Sequence, residues 1–183
     1  MIIIENIGVW AQETNVRMVK ELLLVRQQDI EVMADGADFS DYEMPYGSIT
    51  LAVDAVLKRF DFAQDTCQMS ESREQSPNGA FFNVNITFDV PKNRTDILKW
   101  LHTNRFARFV VLLRDGNGES YIAGDRQTAL QLSASRAVGA KNIYQFSLSG
   151  ALRKPVYHFE GLDEVKLTDG PEFGTDFGMD FNV

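Results

Sequence analysis

Residues 80–90, AFFNVNITFDV, carry the clearest structural pattern in the chain. Apolar and polar residues alternate here, with Phe82, Val84, Ile86, Phe88 and Val90 on one side and Asn83, Asn85, Thr87 and Asp89 on the other. A period of two turns all the apolar side chains to one face of a β-strand. Pro91 cannot donate a hydrogen bond to a neighbouring strand, so we expect the strand to stop there. The segment therefore predicts a half-buried strand.

The residues before this strand predict its hairpin partner. In residues 48–60, SITLAVDAVLKRF, Ile49, Leu51 and Val53 alternate with other residues, which indicates a second strand. Between the two strands lies the polar stretch 71–79, ESREQSPNG, which ends in a Pro-Asn-Gly turn cluster. We therefore expect a long hairpin with a polar, mobile tip.

A short helix and two more hairpins follow. Residues 95–104 hold apolar residues at helical spacing, with Thr95 or Asp96 as the N-cap. The later strands are predicted at 106–113 and 119–123 around the turn Asp115-Gly-Asn-Gly118, and at 128–134 and 143–152 around a loop at 138–142.

The two ends of the chain are less regular. Residues 16–28 are compatible with a helix or with a strand, and both readings remain open. In residues 161–183, Gly161, Gly170, Gly174 and Gly178 punctuate a stretch that contains Phe173, Phe177 and Phe181 with acidic residues between them. Such a segment cannot form a core of its own. It is either disordered or laid across another surface, and the spacing of the phenylalanines by four favours the second. Packing of the segment on its own domain is an equal alternative.

These elements predict an α+β fold, mainly β, in which antiparallel hairpins form a sheet sandwich or a barrel-like sheet with one or two short helices. We expect residues 1–160 to form a single β-rich domain and residues 161–183 a Gly/Phe/Asp-rich extension. A chain of 183 residues buries roughly 70% of its unfolded surface, so the fold needs neither a metal nor a disulfide. The single cysteine, Cys67, is expected to be a half-buried small side chain.

Charge and hydropathy exclude several functions. The net charge of -8 argues against a protein that grips nucleic acid through phosphate contacts. The cations between residues 92 and 114 are expected to form a solvated face: Lys92, Arg94, Lys99, Arg105, Arg108 and Arg114. The opening MIIIENIGVW lacks a basic start and is interrupted by Glu5, so we expect the mature protein to begin near Met1 and to be made in a cytoplasm. No apolar run approaches the length of a membrane span.

Short motifs that resemble catalytic or metal sites are explained better by chance. Asp176-Phe177-Gly178 occurs without the other kinase motifs. Asp115, Asn117 and Glu119 match the start of a calcium loop, but Ser120 and Arg126 occupy positions that need Gly and Glu, so a β-turn is the better reading.

The remaining candidates for chemistry are isolated in the sequence. His102 and His158 lie far apart and have no nucleophile or metal ligand at motif spacing. The acidic pairs Asp35 with Asp38 and Asp41 with Glu43 are expected to lie in a solvated loop. We therefore assign no catalytic, cofactor-binding or metal-binding residue.

The segment from Arg108 to Pro155 resembles small virion proteins of tailed bacteriophages and prophages. The resemblance rests on RFVV, DGNG, Tyr121, Gly124, Gly139, Asn142, Tyr144, Leu148-Ser-Gly150 and Pro155, and on the preceding FFNVNITFDVPKNRTDILKWLHTNR. It implies a non-enzymatic neck or tail part: a head-tail connector, tail terminator or tail-tube-like subunit that forms a ring with copies of itself. It also implies contact with other virion proteins. The acidic composition, for its part, would suit the lining of a channel through which DNA passes without sequence-specific binding.

The expected contact residues are the hairpin tip, the second turn and the tail aromatics: Ser76, Pro77, Asn78, Gly79, Asp115, Gly116, Asn117, Gly118, Phe173, Phe177 and Phe181. One alternative is a soluble module that binds a peptide or carbohydrate on a sheet face through Trp10, Trp100 and surface tyrosines. A second alternative is a hydrolase, which would need two carboxylates, or a carboxylate and His158, to converge in a pocket.

Overall fold

The computed structural model describes residues 18–39, 42–77, 79–139, 141–163 and 165. About half of these residues lie in strands, and two short 3-10 turns occupy Gln27–Asp29 and Gly36–Asp38. The strands and the α-helix are β1 Val19–Arg26, β2 Ile30–Met33, β3 Glu43–Met44, β4 Ile49–Leu51, β5 Lys58–Arg59, β6 Gln68–Ser76, β7 Gly79–Pro91, α1 Thr95–Thr103, β8 Arg108–Asp115, β9 Ser120–Ala123, β10 Leu130–Ala137, β11 Ile143–Leu152 and β12 Tyr157–Phe159.

Ten of the strands belong to one mixed sheet that branches at β8, while β2 and β4 form a small second sheet. On one edge, β8 pairs with β1, and β1 pairs in turn with β5. Two strands share the other edge of β8. Strand β9 pairs with the C-terminal half of β8, and β10 pairs with the first two residues of β8. One branch continues from β9 to β12 and β3, and the other from β10 to β11, β7 and β6.

The branches place a buried layer in the middle of the molecule. Leu22 in β1 and Phe109 in β8 belong to a first apolar cluster, which also contains the apolar side of β7 and β11. Leu23 and Val110 point the other way into a second cluster, which β12 and the small sheet cover. Burial on both faces explains why β1 and β8 carry continuous apolar runs rather than alternating ones.

Helix α1 closes one end of the first cluster through aromatic contacts. Phe88 and Phe146 stack with their ring centroids 5.0 Å apart, and Phe60 meets Phe88 edge-on at 5.2 Å. Trp100 of α1 meets Phe60 at 5.2 Å, also edge-on. Edge-on and offset ring pairs are the favoured aromatic geometries, so these contacts fix the helix against the sheet.

The predicted fold class is confirmed, because the described residues are mainly β and their hairpins are antiparallel. The sheet is layered and does not close into a barrel. The strand at 80–90 is confirmed as β7, and the later hairpins as β8–β9 and β10–β11. The predicted helix is α1, but its N-cap is Arg94, which makes no side-chain capping bond, so neither Thr95 nor Asp96 caps it.

The predicted partner of β7 was wrong. Within residues 48–60 the chain forms two short strands, β4 at Ile49–Leu51 and β5 at Lys58–Arg59, which pair with β2 and β1 and not with β7. The strand that pairs with β7 is β6, most of which had been assigned to the hairpin tip. Strand β6 lies at a sheet edge, where it needs no apolar alternation, and this hid it from pattern reasoning.

Three further points refine the sequence reading. The described part of residues 16–28 is the strand β1, with Gln27 beginning a 3-10 turn. Cys67 is fully buried rather than half-buried. The second cluster includes Leu162 and Val165, so the core extends slightly past residue 160. Residues 166–183, with the three predicted contact phenylalanines, lie outside the described residues.

Candidate assembly interface

The branch formed by β10, β11, β7 and β6 is a four-stranded antiparallel sheet with two open edges. Within the described residues, β6 pairs with β7 and with no other strand. Strand β10 pairs with β8 only at Leu130 and Gln131, so beyond Gln131 its outer edge meets no described strand. The opposite branch and the β1 side end in β3 and β5, which are two residues long. Long exposed edges are therefore confined to β6 and β10 in the described part of the chain.

The hydrogen-bond pattern identifies which backbone groups these edges present. The N–H and C=O of Asp89 both bind the segment before β6, since Ala63 N lies 2.7 Å from Asp89 O and Asp89 N lies 3.2 Å from Thr66 Oγ1. Odd-numbered residues of β7 therefore face β6, and their even-numbered partners in β6 face back. The backbone groups of Met69, Glu71, Arg73 and Gln75 consequently point away from the sheet.

The same alternation, carried across β7 and β11, assigns the free edge of β10. Even-numbered residues of β7 face even-numbered residues of β11, which leaves odd-numbered residues of β11 to face odd-numbered residues of β10. The backbone groups of Leu132, Ala134 and Arg136 therefore point outward. With respect to the described residues, both edges thus offer unpaired donors and acceptors, which is the arrangement that recruits another strand.

The tip of the β6–β7 hairpin projects beyond its own sheet. The last pair between β7 and β11 joins Phe82 to Leu152. Three further β6–β7 pairs follow, which end with Ser76 opposite Gly79. The hydroxyl of Ser76 donates to Gly79 O at 3.1 Å, and Gly79 has φ +121° in open space, where a side chain would be strained. The hairpin therefore extends three residue pairs beyond the end of the β7–β11 pairing.

The outer face of this sheet is polar and carries no cation in its central rows. Cross-strand neighbours share a face, so the register defines three rows across four strands. These rows are Ser70, Asn85, Ser149 and Gln131; Gln68, Thr87, Ser147 and Ser133; and Asp89, Gln145 and Ser135. The Ser147 hydroxyl lies 3.1 Å from Asn85 Oδ1, which links adjacent strands across the face.

The second predicted contact, Asp115 to Gly118, is a rigid turn. Asp115 Oδ1 accepts hydrogen bonds from Asn117 N and Glu119 N, both at 2.9 Å. The ammonium of Lys20 donates to Gly116 O at 2.9 Å, which ties the turn to β1. Because its carboxylate satisfies the turn's own N–H groups, Asp115 acts as a turn residue here.

The structure does not bring the two predicted turns together. Gln68 and Asp115 border the same open cavity of about 780 Å³, which also exposes Asn117 and Tyr121. The hairpin tip begins eight residues farther along β6, roughly 26 Å away at the rise of a strand. Asn78 lies outside the described residues. The two turns therefore mark opposite ends of β6, and neither the sequence nor its motifs indicated the strand between them.

The predicted acidic loop is organised by Lys154. Its ammonium lies 2.8 Å from Asp35 Oδ2 and 3.6 Å from Asp125 Oδ2. The hydrogen bond from Lys154 is the largest of the effects that hold the pKa of Asp35 below its usual range. Burial raises the pKa of the neighbouring Tyr157 to about 12, with Asp35 adding to the shift. The space among these groups is about 10 Å³, too small for a ligand, so the cluster is a structural link.

A carboxylate does lie near His158, as a hydrolase would require. His158 Nδ1 is 3.6 Å from Glu119 Oε2, and the Tyr121 ring lies 4.8 Å from the imidazole. The two side chains of this pair are 49% and 58% exposed, so the pair lies on the surface rather than in an enclosed pocket. His102 lies in the last turn of α1, as predicted. Burial raises the pKa of the Cys67 thiol to about 12, which disfavours the nucleophilic thiolate.

The described residues contain no group of three or more His, Cys, Asp or Glu side chains placed to hold a metal ion. No helix among them is long and apolar enough to cross a membrane. Comparison of the chain with protein-family models, with curated proteins and with solved structures yields no match in any of the three.

The interface feature that sequence reasoning missed is β6 itself. Its nine residues, QMSESREQS, contain one large apolar residue and no alternation. A usable signal was its length, because the nine residues before the Pro-Asn turn pair one to one with the first nine residues of the strongly patterned strand that follows. Hairpin strands pair residue by residue, so a polar run that mirrors a clear strand across a turn is itself a strand candidate.

Proposed function

We propose that this protein is a non-enzymatic structural subunit of a tailed-bacteriophage particle, which forms a ring with copies of itself in the neck or tail and contacts adjacent rings. The resemblance of residues 80–155 to small virion proteins supports the phage assignment. The observation that carries self-assembly is the pair of long open edges on one four-stranded sheet, at β6 and β10.

The strand directions allow the antiparallel sheet to continue from one copy to the next. Four antiparallel strands place β6 antiparallel to β10. When a second copy lies beside the first in the same orientation, its β10 is therefore antiparallel to the first copy's β6, and the alternation continues. A head-to-tail contact of this kind generates a closed ring when the rotation between copies closes.

One register fits both the free backbone groups and the charges. Placing Glu71 opposite Arg136 of the next copy sets Arg73 opposite Ala134 and Gln75 opposite Leu132. All six residues present outward backbone groups, and their side chains share the face of the sheet that looks toward the core. Glu71 Oε2 accepts a hydrogen bond from Val156 N at 2.9 Å, so its other carboxylate oxygen would pair with Arg136, which makes no ion pair within the described residues.

The size of this contact is sufficient to hold a junction. The three outward residues of β10 each supply one donor and one acceptor, which gives about six new backbone hydrogen bonds at a net ~1 kcal/mol each. Closing the ring adds one further junction. The turn and hairpin tip at the two ends of β6 remain available for contacts with other rings.

The outer face of the sheet suits a surface along which DNA passes. Electrostatic attraction to phosphates comes from Lys and Arg, and the three central rows of this face contain neither. The same rows contain no aromatic side chain, so they lack the stacking surface expected of a carbohydrate-binding sheet. Trp100 packs against Phe60 and Phe109, and the groove that it borders is lined by no tyrosine.

The test is the solution mass of the full chain by light scattering, with electron microscopy for ring shape. The wild type should give a ring-sized multiple of 20.7 kDa. Arg73→Pro should give monomers, because it removes an outward N–H without breaking a bond to β7. Arg73→Val, which keeps the N–H, is the matched control and should still form rings.

A charge swap tests the register. Arg136→Glu should lower the assembled fraction, and Arg136→Glu combined with Glu71→Arg should restore it. A wild type that stays monomeric at high concentration would refute the ring, and rings formed by Arg73→Pro would show that β6 is not the contact.

A further inference from the structure

We propose that residues 166–183 of one copy bind a groove between α1 and β5 of a second copy. This inference rests on the proposed self-assembly and adds a second contact to it, on a surface separate from the β6 and β10 edges. It follows from the shape and charge of the groove, from the sequence of the segment, and from the side of the domain at which the described chain ends.

The groove has an aromatic floor and a cationic rim. Its volume is about 130 Å³, close to that of an engineered cavity of about 150 Å³ that holds benzene in another protein. The groove is therefore large enough for one phenylalanine ring. Its floor is formed by Phe60, Ile97 and Trp100. Its rim carries three cations, Lys58, Arg59 and Arg94, and two exposed acids, Asp61 and Asp96, which leaves one net positive charge.

The rim cations are weakly engaged within their own chain. Arg59 lies 3.9 Å from Glu21 and 3.7 Å from Asp61, and Arg94 lies 3.6 Å from Asp96. These are long ion pairs between largely exposed arginines and acids, which contribute little and exchange readily. Lys58 makes no ion pair within the described residues. An acidic segment can therefore take these cations without breaking a strong interaction.

The surroundings extend this surface. Residues 92–108 carry five Lys or Arg and one Asp, a net charge of +4 on a chain of net charge -8. Leu98 is 51% exposed and Phe106 is 86% exposed beside these cations, and the Arg105 guanidinium lies 4.8 Å over the Phe106 ring. An exposed surface that combines apolar and cationic groups fits an acidic, aromatic partner.

Residues 166–183, KLTDGPEFGTDFGMDFNV, have that composition. An acid directly precedes each phenylalanine, in Glu172-Phe173, Asp176-Phe177 and Asp180-Phe181, and the repeat is four residues. The segment carries four acids and one lysine, a net charge of -3. Each repeat can place a ring on the floor of the groove and a carboxylate at its rim. The groove could therefore bind any one of the three repeats.

The position of Val165 favours binding to a second copy. Val165 packs in the second cluster, with Leu23 and Val110 on one face of the central strands. The groove residues Phe60 and Trp100 pack with the first cluster, on the opposite face. Val165, the last described residue, therefore lies on the side of the central strands opposite the groove. The 18 residues that follow it would reach up to about 60 Å when extended, enough to contact a neighbour in a ring.

The test uses the full chain with a photo-cross-linking phenylalanine analogue at position 177. Isotopically heavy and light copies are mixed, assembled and irradiated, and mass spectrometry then locates the cross-link. The expected product joins a heavy to a light copy at a peptide containing Phe60 or Trp100. A cross-link within one copy, or to another surface, would overturn the inference.

Charge reversal supplies the matched control. Replacing Lys58, Arg59 and Arg94 with Glu should reduce the cross-link about ten-fold, as the loss of three exposed ion pairs predicts. The same change at three exposed cations elsewhere, Arg126, Lys141 and Arg153, should leave it unchanged. Reversing Glu172, Asp176 and Asp180 to Lys in the groove variant should restore it, which a misfolded groove could not do.

Light scattering on the same samples separates the two proposals. A ring-sized mass with the cross-link elsewhere defeats the groove contact and leaves the ring. A groove cross-link between copies without a ring-sized mass keeps the contact and defeats the ring.

Discussion

Replacing Gly36 with Ala should destabilise the protein through one identifiable clash. A Cβ at residue 36 would meet Cγ of Tyr157, with Cδ1 and Cδ2 both 2.6 Å away. Carbon atoms pack at about 3.5–4.0 Å, so the ring or the loop must move by about 1 Å. Tyr157 is 6% exposed, and its backbone pairs with Ile122 in β9. Because Tyr157 is held in place, the loop that contains Gly36 must move instead.

The loop is held in place by Asp35, which accepts a hydrogen bond from Ala37 N at 3.1 Å and binds Lys154 at 2.8 Å. Overpacking of this kind costs about 1–3 kcal/mol, and strain on these contacts places the expected loss near the upper end, at about 2–3 kcal/mol. For a chain of this length, that corresponds to a fall in Tm of about 4–10 °C.

Urea unfolding of a double-mutant cycle tests the cause. In a Tyr157→Ala background the same Gly36→Ala change should cost less than about 0.5 kcal/mol, because the ring that causes the clash is absent. An equal cost in both backgrounds would show that the backbone at residue 36, and not the ring, requires glycine. A cost below about 0.5 kcal/mol in the wild type would refute the close approach itself.

Two further predictions concern ionisation. Lys154→Met should lower the free energy of unfolding by about 1–3 kcal/mol near pH 7, because it leaves Asp35 and Asp125 without their shared cation. The folded pKa of Asp35 is lowered, so its contribution is present above the unfolded value of 3.8 and is lost as the pH falls through the folded pKa. Burial alone would lower the pKa of Lys154, but Asp35 and Asp125 outweigh it and raise that pKa, so this contribution is complete below 10.5 and is lost at higher pH. Unfolding curves of wild type and variant should thus differ most between about pH 5 and 9 and converge at both extremes; a difference that persists undiminished at both the acidic and the alkaline extreme would contradict the ionic cause. Cys67, with a pKa raised to about 12, should react with iodoacetamide at pH 8 roughly a thousand-fold more slowly in the folded than in the urea-unfolded protein, and rates within ten-fold of each other would contradict its burial.

The parts of the fold that sequence reasoning found are those in which one face of a strand is buried. Strand β7 alternates from Phe82 to Val90 because its apolar face meets the first cluster and its other face meets solvent. The turn at Asp115–Gly118 was found because its glycines and Asp115 have local conformational reasons to be there. In both cases the cause of the structure lies within a few residues of sequence.

The parts it missed depend on partners that are distant in sequence. Residues 16–28 were compatible with helix or strand because β1 is buried on both faces, which removes the alternation that would identify it. Lys154 contacts Asp35, which lies more than a hundred residues earlier in the sequence, and no local sequence pattern predicts that contact. The groove between α1 and β5 likewise joins Arg94 to Lys58 through the packing of Trp100 on Phe60.

Strand β6 was missed for a reason that bears on its proposed role. A strand inside a sheet shows its place through apolar residues, whereas an edge strand that must stay soluble before it finds a partner carries polar and charged ones. Single-sign charges would repel every other copy, but β6 carries Glu71 and Arg73 two residues apart on one face. Opposite Arg136 of the next copy, Arg73 would be repelled and Glu71 attracted, so the mixed signs favour the register that opposes Glu71 to Arg136. The polarity that conceals β6 from pattern reasoning is thus the property that would restrict its pairing to a single partner strand.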